Sequence, residues 1–126
     1  MSPIHLILRT AFRLLFLFVV LILLVSKFSA LCALPNTKVV KALNTVTGRT
    51  MVYPQEVAGG DHNVFVSAND MDAKMQVVDL LRAFGWTNIF DLGDLSTARG
   101  TEAYMLLWVR LFGAMNTGMI NIKIMK

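Results

Sequence analysis

One cysteine, three prolines and eight glycines are spread over 126 residues. A collagen-like repeat, a disordered low-complexity chain and a disulfide-stapled scaffold are all excluded by that composition. With Cys32 as the single thiol, no intrachain disulfide can form and no zinc site can be assembled from thiolates. Histidine is limited to His5 and His62, so no metal centre is expected. Neither Gly-x-Gly-x-x-Gly nor Gly-x-x-x-x-Gly-Lys-Ser/Thr occurs, and the pair Gly59-Gly60 has no helix start immediately after it. The chain therefore has no backbone cradle for a diphosphate of its own.

Acidic residues are absent before Glu56, and three of the four net positive charges are Arg9, Arg13 and Lys27. From Leu34 onward nine basic residues face eight acidic ones. The basic character belongs to the front of the chain, and nothing in the remainder suggests a nucleic-acid partner. Apolar residues make up 56% of the sequence, enough for one domain with a core.

The longest apolar run, Leu14 to Val25, is twelve residues. A hydrocarbon core of about 30 Å needs roughly 20 helical residues. Spanning would require counting from Ala11 or Leu14 to Leu34, with Lys27 snorkelling at one end. The reading adopted is a hydrophobic leader over residues 1–33, acting as a membrane helix and placing the chain at a membrane through residues 11–34, with the rest cytoplasmic. A secretory signal cleaved near Ala30-Leu31-Cys32 is the weaker alternative.

Residues 34–126 read as a single α/β unit. Lys38 to Leu43 forms a short β-branched strand closed by Asn44-Thr45, and Gly48 to Asn63 is a long loop. Val64 to Ser67 is the next strand, followed by a helix with Asn69 as N-cap and Asp72 in its first turn. Its apolar face is Val77, Leu80, Leu81 and Phe84, and Gly85 supplies the left-handed position that ends it. Asn88 to Leu92 is a third strand. Ser96 or Thr97 caps a second helix running to about Phe112, with Tyr104, Leu107, Trp108 and Leu111 on one face and Met105, Val109 and Phe112 widening it. Gly113 and Gly118 break the chain before the alternating segment Ile120 to Ile124, which suits an edge strand. This alternation predicts a partial Rossmann-like parallel sheet with flanking helices.

Four blocks carry a resemblance: Lys38 to Thr45, Val64 to Asp70 with Ala73-Lys74, Asp91 to Arg99, and Leu106 to Leu111. In this order they resemble the C-terminal half of the deazaflavin-dependent (coenzyme F-420) NADP oxidoreductase family, and the ending Asn121-Ile122-Lys123 is similar to a subgroup of NAD(P)-binding reductases. The resemblance spans about three quarters of the chain. It implies hydride transfer between NADP and a flavin-like or deazaflavin acceptor. It also implies that the Gly-rich half is replaced by the apolar leader, giving a truncated homologue that is inactive alone.

By the same resemblance, Asn44 and Thr45 lie near the nicotinamide, while Ser96 and Arg99 line the cofactor cleft, with Glu102 beside them. Residue chemistry alone offers plainer roles: a polar strand end, a helix cap and an Arg99–Glu102 surface pair. Asp91 and Asp94 read most simply as carboxylates capping local N–H groups. Half a parallel sheet leaves backbone groups along Val39 to Leu43 unpaired, so a homodimer mate, a second chain supplying the missing half-sheet or the leader must cover them. A membrane-tethered interaction module without catalysis is the competing reading.

Overall fold

Val64, Phe65 and Val66 are a short apolar run of β-formers, and they form the middle of a sheet. The computed structural model describes residues 36–126. Its sheet has three strands in the order β1 (Val40–Ala42), β2 (Asn63–Ala68) and β3 (Asn88–Asp91). Three α-helices accompany them: α1 (Gly48–Val52), α2 (Met71–Ala83) and α3 (Ala98–Met115). The leader expected at residues 1–33, with its apolar run and Cys32, lies outside the described residues.

The sheet is mixed, which corrects the expected parallel arrangement. β2 and β3 are parallel, with Val64 opposite Ile89 and Phe65 opposite Phe90. β1 runs antiparallel to β2, with Val40 opposite Ala68 and Ala42 opposite Val66. The cause is the connection. Between β2 and β3 stands α2, a thirteen-residue crossover of the kind that parallel pairing requires. Between β1 and β2 the chain makes only the five-residue α1 and two 3-10 turns, Pro54–Glu56 and Ala58–Gly60. It re-enters the sheet at the end where it left, and the stretch read as a long loop is this short-helix connection.

Side-chain alternation divides the sheet into two faces. Val64, Val66, Ala68 and Asp91 share the face toward α2. That helix turns Lys74, Val78 and Leu81 inward. The expected stripe of Val77, Leu80, Leu81 and Phe84 is thus rotated by one residue, and Leu80 is exposed. Apolar spacing alone missed this because Lys74, a charged residue, occupies a core position. The N-cap is Asp70, whose carboxylate accepts from Ala73 N at 2.8 Å. Asn69 bonds elsewhere, its Oδ1 accepting from Leu95 N at 2.9 Å, and so ties the start of α2 to the turn before α3.

The opposite face carries Lys41, Phe65, Ser67 and Phe90, and α3 lies beside it. Of α3 only Ala98 and Thr101 are fully buried; Tyr104, Trp108 and Leu111 of the expected face are half-buried, with Met105 beside them, while Leu106, Leu107, Val109 and Phe112 are exposed. Gly113 does not interrupt it. Asn116, at φ 53°, supplies the left-handed stop instead. Ile120 to Ile124 is no strand, because it meets β2 through single bonds rather than a ladder: Asn63 N donates to Ile122 O at 2.9 Å and Ile124 N to Asn63 Oδ1 at 2.8 Å.

Trp86 and His62 fasten the α1 segment. The indole donates to Met51 O at 2.9 Å, His62 Nε2 donates to Pro54 O at 2.8 Å, and the two rings meet edge to face at 5.0 Å. The Asn121 amide, 2.6 Å away, donates to Nδ1 of the same imidazole, which accounts for both ring nitrogens. His62 is therefore a structural residue.

The membrane assignment is corrected as well. Among the described residues no helix is long and apolar enough to cross a bilayer, and the segment 11–34 that carried the assignment lies outside them.

Gly85 stands at φ +99°, and a Cβ there would lie 2.3 Å from Gln55 Nε2, the amide that donates to Gly85 O. Gly85→Ala is expected to cost about 1–2 kcal/mol, from left-handed strain and loss of that bond. Urea unfolding measures it. An unchanged midpoint would show that the turn yields without strain.

Candidate functional site

Asn44 and Thr45 follow β1 through Leu43, which is buried and left-handed at φ 61°. A branched residue in that region costs roughly 1–2 kcal/mol and persists only where its surroundings over-determine it. Here the surroundings are α3. Asn44 Nδ2 donates to Thr101 O at 2.6 Å, a bond across 57 residues of sequence. Lys41, nearly fully buried, reaches Glu102 at 3.3 Å. Ser67 and Thr97 share a hydroxyl contact at 2.8 Å. Three polar links thus tie the start of α3 and the turn before it to β1 and β2.

Asn44 Oδ1 and Thr45 Oγ1 are buried with no partner among the described residues. An unsatisfied buried polar atom costs about 1–3 kcal/mol, a deficit that a ligand group or a water would remove. Among the expected site residues, this pair has the clearest physical sign of something still to be bound.

Ser96 and Arg99 sit elsewhere. Ser96 is exposed, and both its N–H and its hydroxyl are taken by Asp94 Oδ1. Asp94 caps the 3-10 turn Leu95–Thr97 that leads into α3, and Thr97 holds the N-cap position of α3 as expected, though without a side-chain bond to the helix start. Arg99 is exposed, and the Arg99–Glu102 pair is not formed because Glu102 turns to Lys41. Arg99 therefore has no ion-pair partner among the described residues. No hydrogen bond joins Ser96 or Arg99 to Asn44 or Thr45. The two pairs are brought to the same stretch of α3, one through Thr101 and one through the chain itself.

The topology removes one reason for choosing Asn44 and Thr45. Ligands bind beyond the carboxyl ends of parallel strands. Because β1 is antiparallel, its carboxyl end lies toward the start of β2, away from the ends of β2 and β3. The end beyond β2 and β3 is built instead from Asn69, Lys74, Asp91, Gly93 and Asp94. Lys74 Nζ donates to Asp91 at 2.9 Å and to Gly93 O at 2.8 Å, and Asp91 also accepts from Gly93 N at 2.8 Å. Sequence reasoning missed this cluster because it treated Asp91 and Asp94 together. Lys74 at a helix position three residues after Met71 was the available signal.

No family model and no curated protein matches the chain. Among solved structures, an oxidoreductase of Arthrobacter sp. FB24 is similar, with 48% sequence identity and a TM-score of 0.73. That protein is provisionally assigned as a coenzyme F-420-dependent NADP-reductase; the match covers 76% of the present chain and 44% of the Arthrobacter one. The chain is a partial homologue of this reductase, spanning less than half its length. The oxidoreductase resemblance read from the four sequence blocks is thereby established at the level of family likeness.

The Lys74 ammonium holds the Asp91 carboxyl below the usual aspartate range, chiefly through their hydrogen bond, with the Gly93 N–H assisting. A carboxyl with a lowered value stabilises the fold at pH above the ordinary aspartate value and loses that contribution as pH falls through its own. Asp91 is half exposed, so screening limits the effect to about 1 kcal/mol or less. Asp91→Asn is expected to lower the urea midpoint at pH 7, with the gap to the parent closing below about pH 4. A gap that stays constant down to pH 2 would show that the ion pair contributes nothing.

Proposed function

We propose that residues 34–126 supply one wall of the cofactor cleft in an NADP-dependent oxidoreductase that passes a hydride between NADP and a flavin-like or deazaflavin acceptor. The observation that carries this is the 48% identity to the Arthrobacter reductase over three quarters of the chain. Two buried polar atoms without partners, on Asn44 and Thr45, support it.

The fit to NADP is partial. Asn44 Oδ1 is an acceptor and the Thr45 hydroxyl both donates and accepts, a combination suited to a carboxamide or a ribose hydroxyl. Arg99, exposed and without an ion-pair partner among the described residues, suits an anionic group, and Ser96 stands three residues before it. The diphosphate is not provided for, since no Gly-rich turn occurs in the sequence. When bound, the nicotinamide would give a hydride as NADPH or take one as NADP. The protein's part is to hold donor and acceptor carbons about 3–3.5 Å apart and to exclude water. Residues 34–126 contribute orientation at Asn44, Thr45, Ser96 and Arg99. The phosphate grip has to come from a second polypeptide segment, and the 126-residue chain by itself is proposed to be inactive.

A chimera tests this: the portion of the Arthrobacter protein not matched by this chain, joined ahead of residue 34. Saturable NADPH binding and deazaflavin reduction are expected from the chimera and not from the chain alone. Arg99→Ala in the chimera should raise the KM for NADPH at least tenfold while leaving the melting temperature unchanged. A folded chimera that does not bind NADPH, or turnover by the chain alone, would overturn the proposal.

A further inference from the structure

Residues 117–126 form no helix or strand, yet they are fastened at one place. Among the described residues, the hydrogen bonds from Met119 to Ile124 to the rest of the unit reach Thr50, Asp61, His62 and Asn63. Gly118 lies flush against the loop after β1, where an added Cβ would stand 2.8 Å from the Thr47 methyl. The centre of the fastening is His62, 2% exposed, and both of its ring nitrogens have fixed roles. Pro54 O can only accept, so Nε2 carries the ring proton. Asn63 O can only accept as well, so the Asn121 atom facing it at 2.8 Å is the amide nitrogen. That nitrogen stands 2.6 Å from Nδ1, which is therefore the bare, accepting one. Two backbone carbonyls thus commit the contact to a neutral imidazole. A proton on Nδ1 would set N–H against N–H. Turning the amide over would give that proton an acceptor but would set Oδ1 against Asn63 O.

We propose that His62 is a pH-sensitive latch: a second proton on its ring releases residues 117–126 from α1 and from the loop that follows β1. A buried imidazolium needs water or an acceptor at Nδ1, and the tail is what stands there. The tail is also the part that can give way. On its other sides the ring meets Pro54 O and the edge of Trp86, and Trp86 is itself buried and bonded to Met51 O. The tail is held by single bonds and not by a ladder. Asn121 Oδ1 is buried without a partner among the described residues, so the fastening already carries a cost. The neighbouring carboxylates are committed elsewhere: Asp61 pairs with Lys123 of the tail, and Glu56 of the 3-10 turn pairs with Arg49. His62 has no ion-pair partner among the described residues to balance the new charge. The latch rests on the tail's own bonds and is independent of the hydride-transfer reading.

Amide hydrogen exchange of the full chain reads the latch directly. The Asn63 N–H, which donates to Ile122 O, and the Ile124 N–H, which donates to Asn63 Oδ1, report on the tail. The Leu92 N–H, which donates to Val66 O, reports on the sheet. Between about pH 7.5 and about pH 5.5 the protection factors of Asn63 and Ile124 should fall severalfold, with Leu92 unchanged; the limit is roughly tenfold, set by one proton on a freely hydrated imidazole. Carboxylates ordinarily titrate near about pH 4, outside that interval. In His62→Gln, which keeps His5, the fall should disappear. In Asn121→Asp the carboxylate accepts from the protonated ring, so tail protection should rise over the same interval. That second variant decides the matter even if the His62 variant does not fold. Tail protection indifferent to pH in the parent chain overturns the proposal. So does an equal fall in Asn121→Asp, or a parallel loss at Leu92, which would mean that the sheet itself unfolds.

Discussion

The buried ammonium of Lys41 and its partner on α3 decide where the edge of this sheet goes. β1 has only three residues and, among the described residues, pairs on one side, so its backbone ladder is too short to hold it alone. Lys41 stands opposite Ser67 on the face toward α3, and both side chains reach that helix, one to Glu102 and the other to Thr97. Asn44 adds the third link through Thr101 O. Only the ammonium of this pair is buried, since Glu102 is half exposed, so the pair adds little net stability, yet losing Glu102 would leave a buried charge without its partner. Its contribution here is register: it sets β1, and with it the strained turn at Leu43 and the position of Asn44, against one particular turn of α3.

This seam explains the division of α3 into two parts. Its first turns are committed to the sheet, and its remainder runs past that support with apolar side chains still on display. The same short stretch, from Ser96 to Glu102, serves three purposes. Asp94 and Ser96 close the turn from β3, Thr101 and Glu102 hold β1, and Arg99 points its charge away from both.

Much of the architecture is legible in the residues, and the failures have physical reasons. β2, α2, β3 and the start of α3 follow from β-branched runs, a left-handed Gly85 and Asx residues at the turns. Strand direction is not legible, because a periodic pattern is blind to polarity; only the lack of a crossover helix between Ala42 and Asn63 could indicate it. The inward face of α2 is misjudged from spacing because Lys74 is buried by virtue of Asp91 and Gly93, partners seventeen and nineteen residues away. At the candidate site, a strand-end rule points to Asn44 and Thr45, and the antiparallel β1 does not satisfy it. Their unsatisfied atoms, which no sequence pattern reveals, give a better reason for interest. Asn69 and Asp70 exchange roles for a simple reason: either can cap, and tertiary contact with Leu95 decides between them.

The proposal that this unit forms a cofactor wall is tested most directly by following side-chain and backbone NMR signals of the NADP-binding chimera during NADPH titration. The Asn44 carboxamide, the Thr45 amide and methyl, the Ser96 amide and the Arg99 guanidinium should shift together with one saturation curve. Saturation that leaves those four residues unmoved, with the changes confined to the segment around Gly59-Gly60 or to the apolar end of α3, would contradict it.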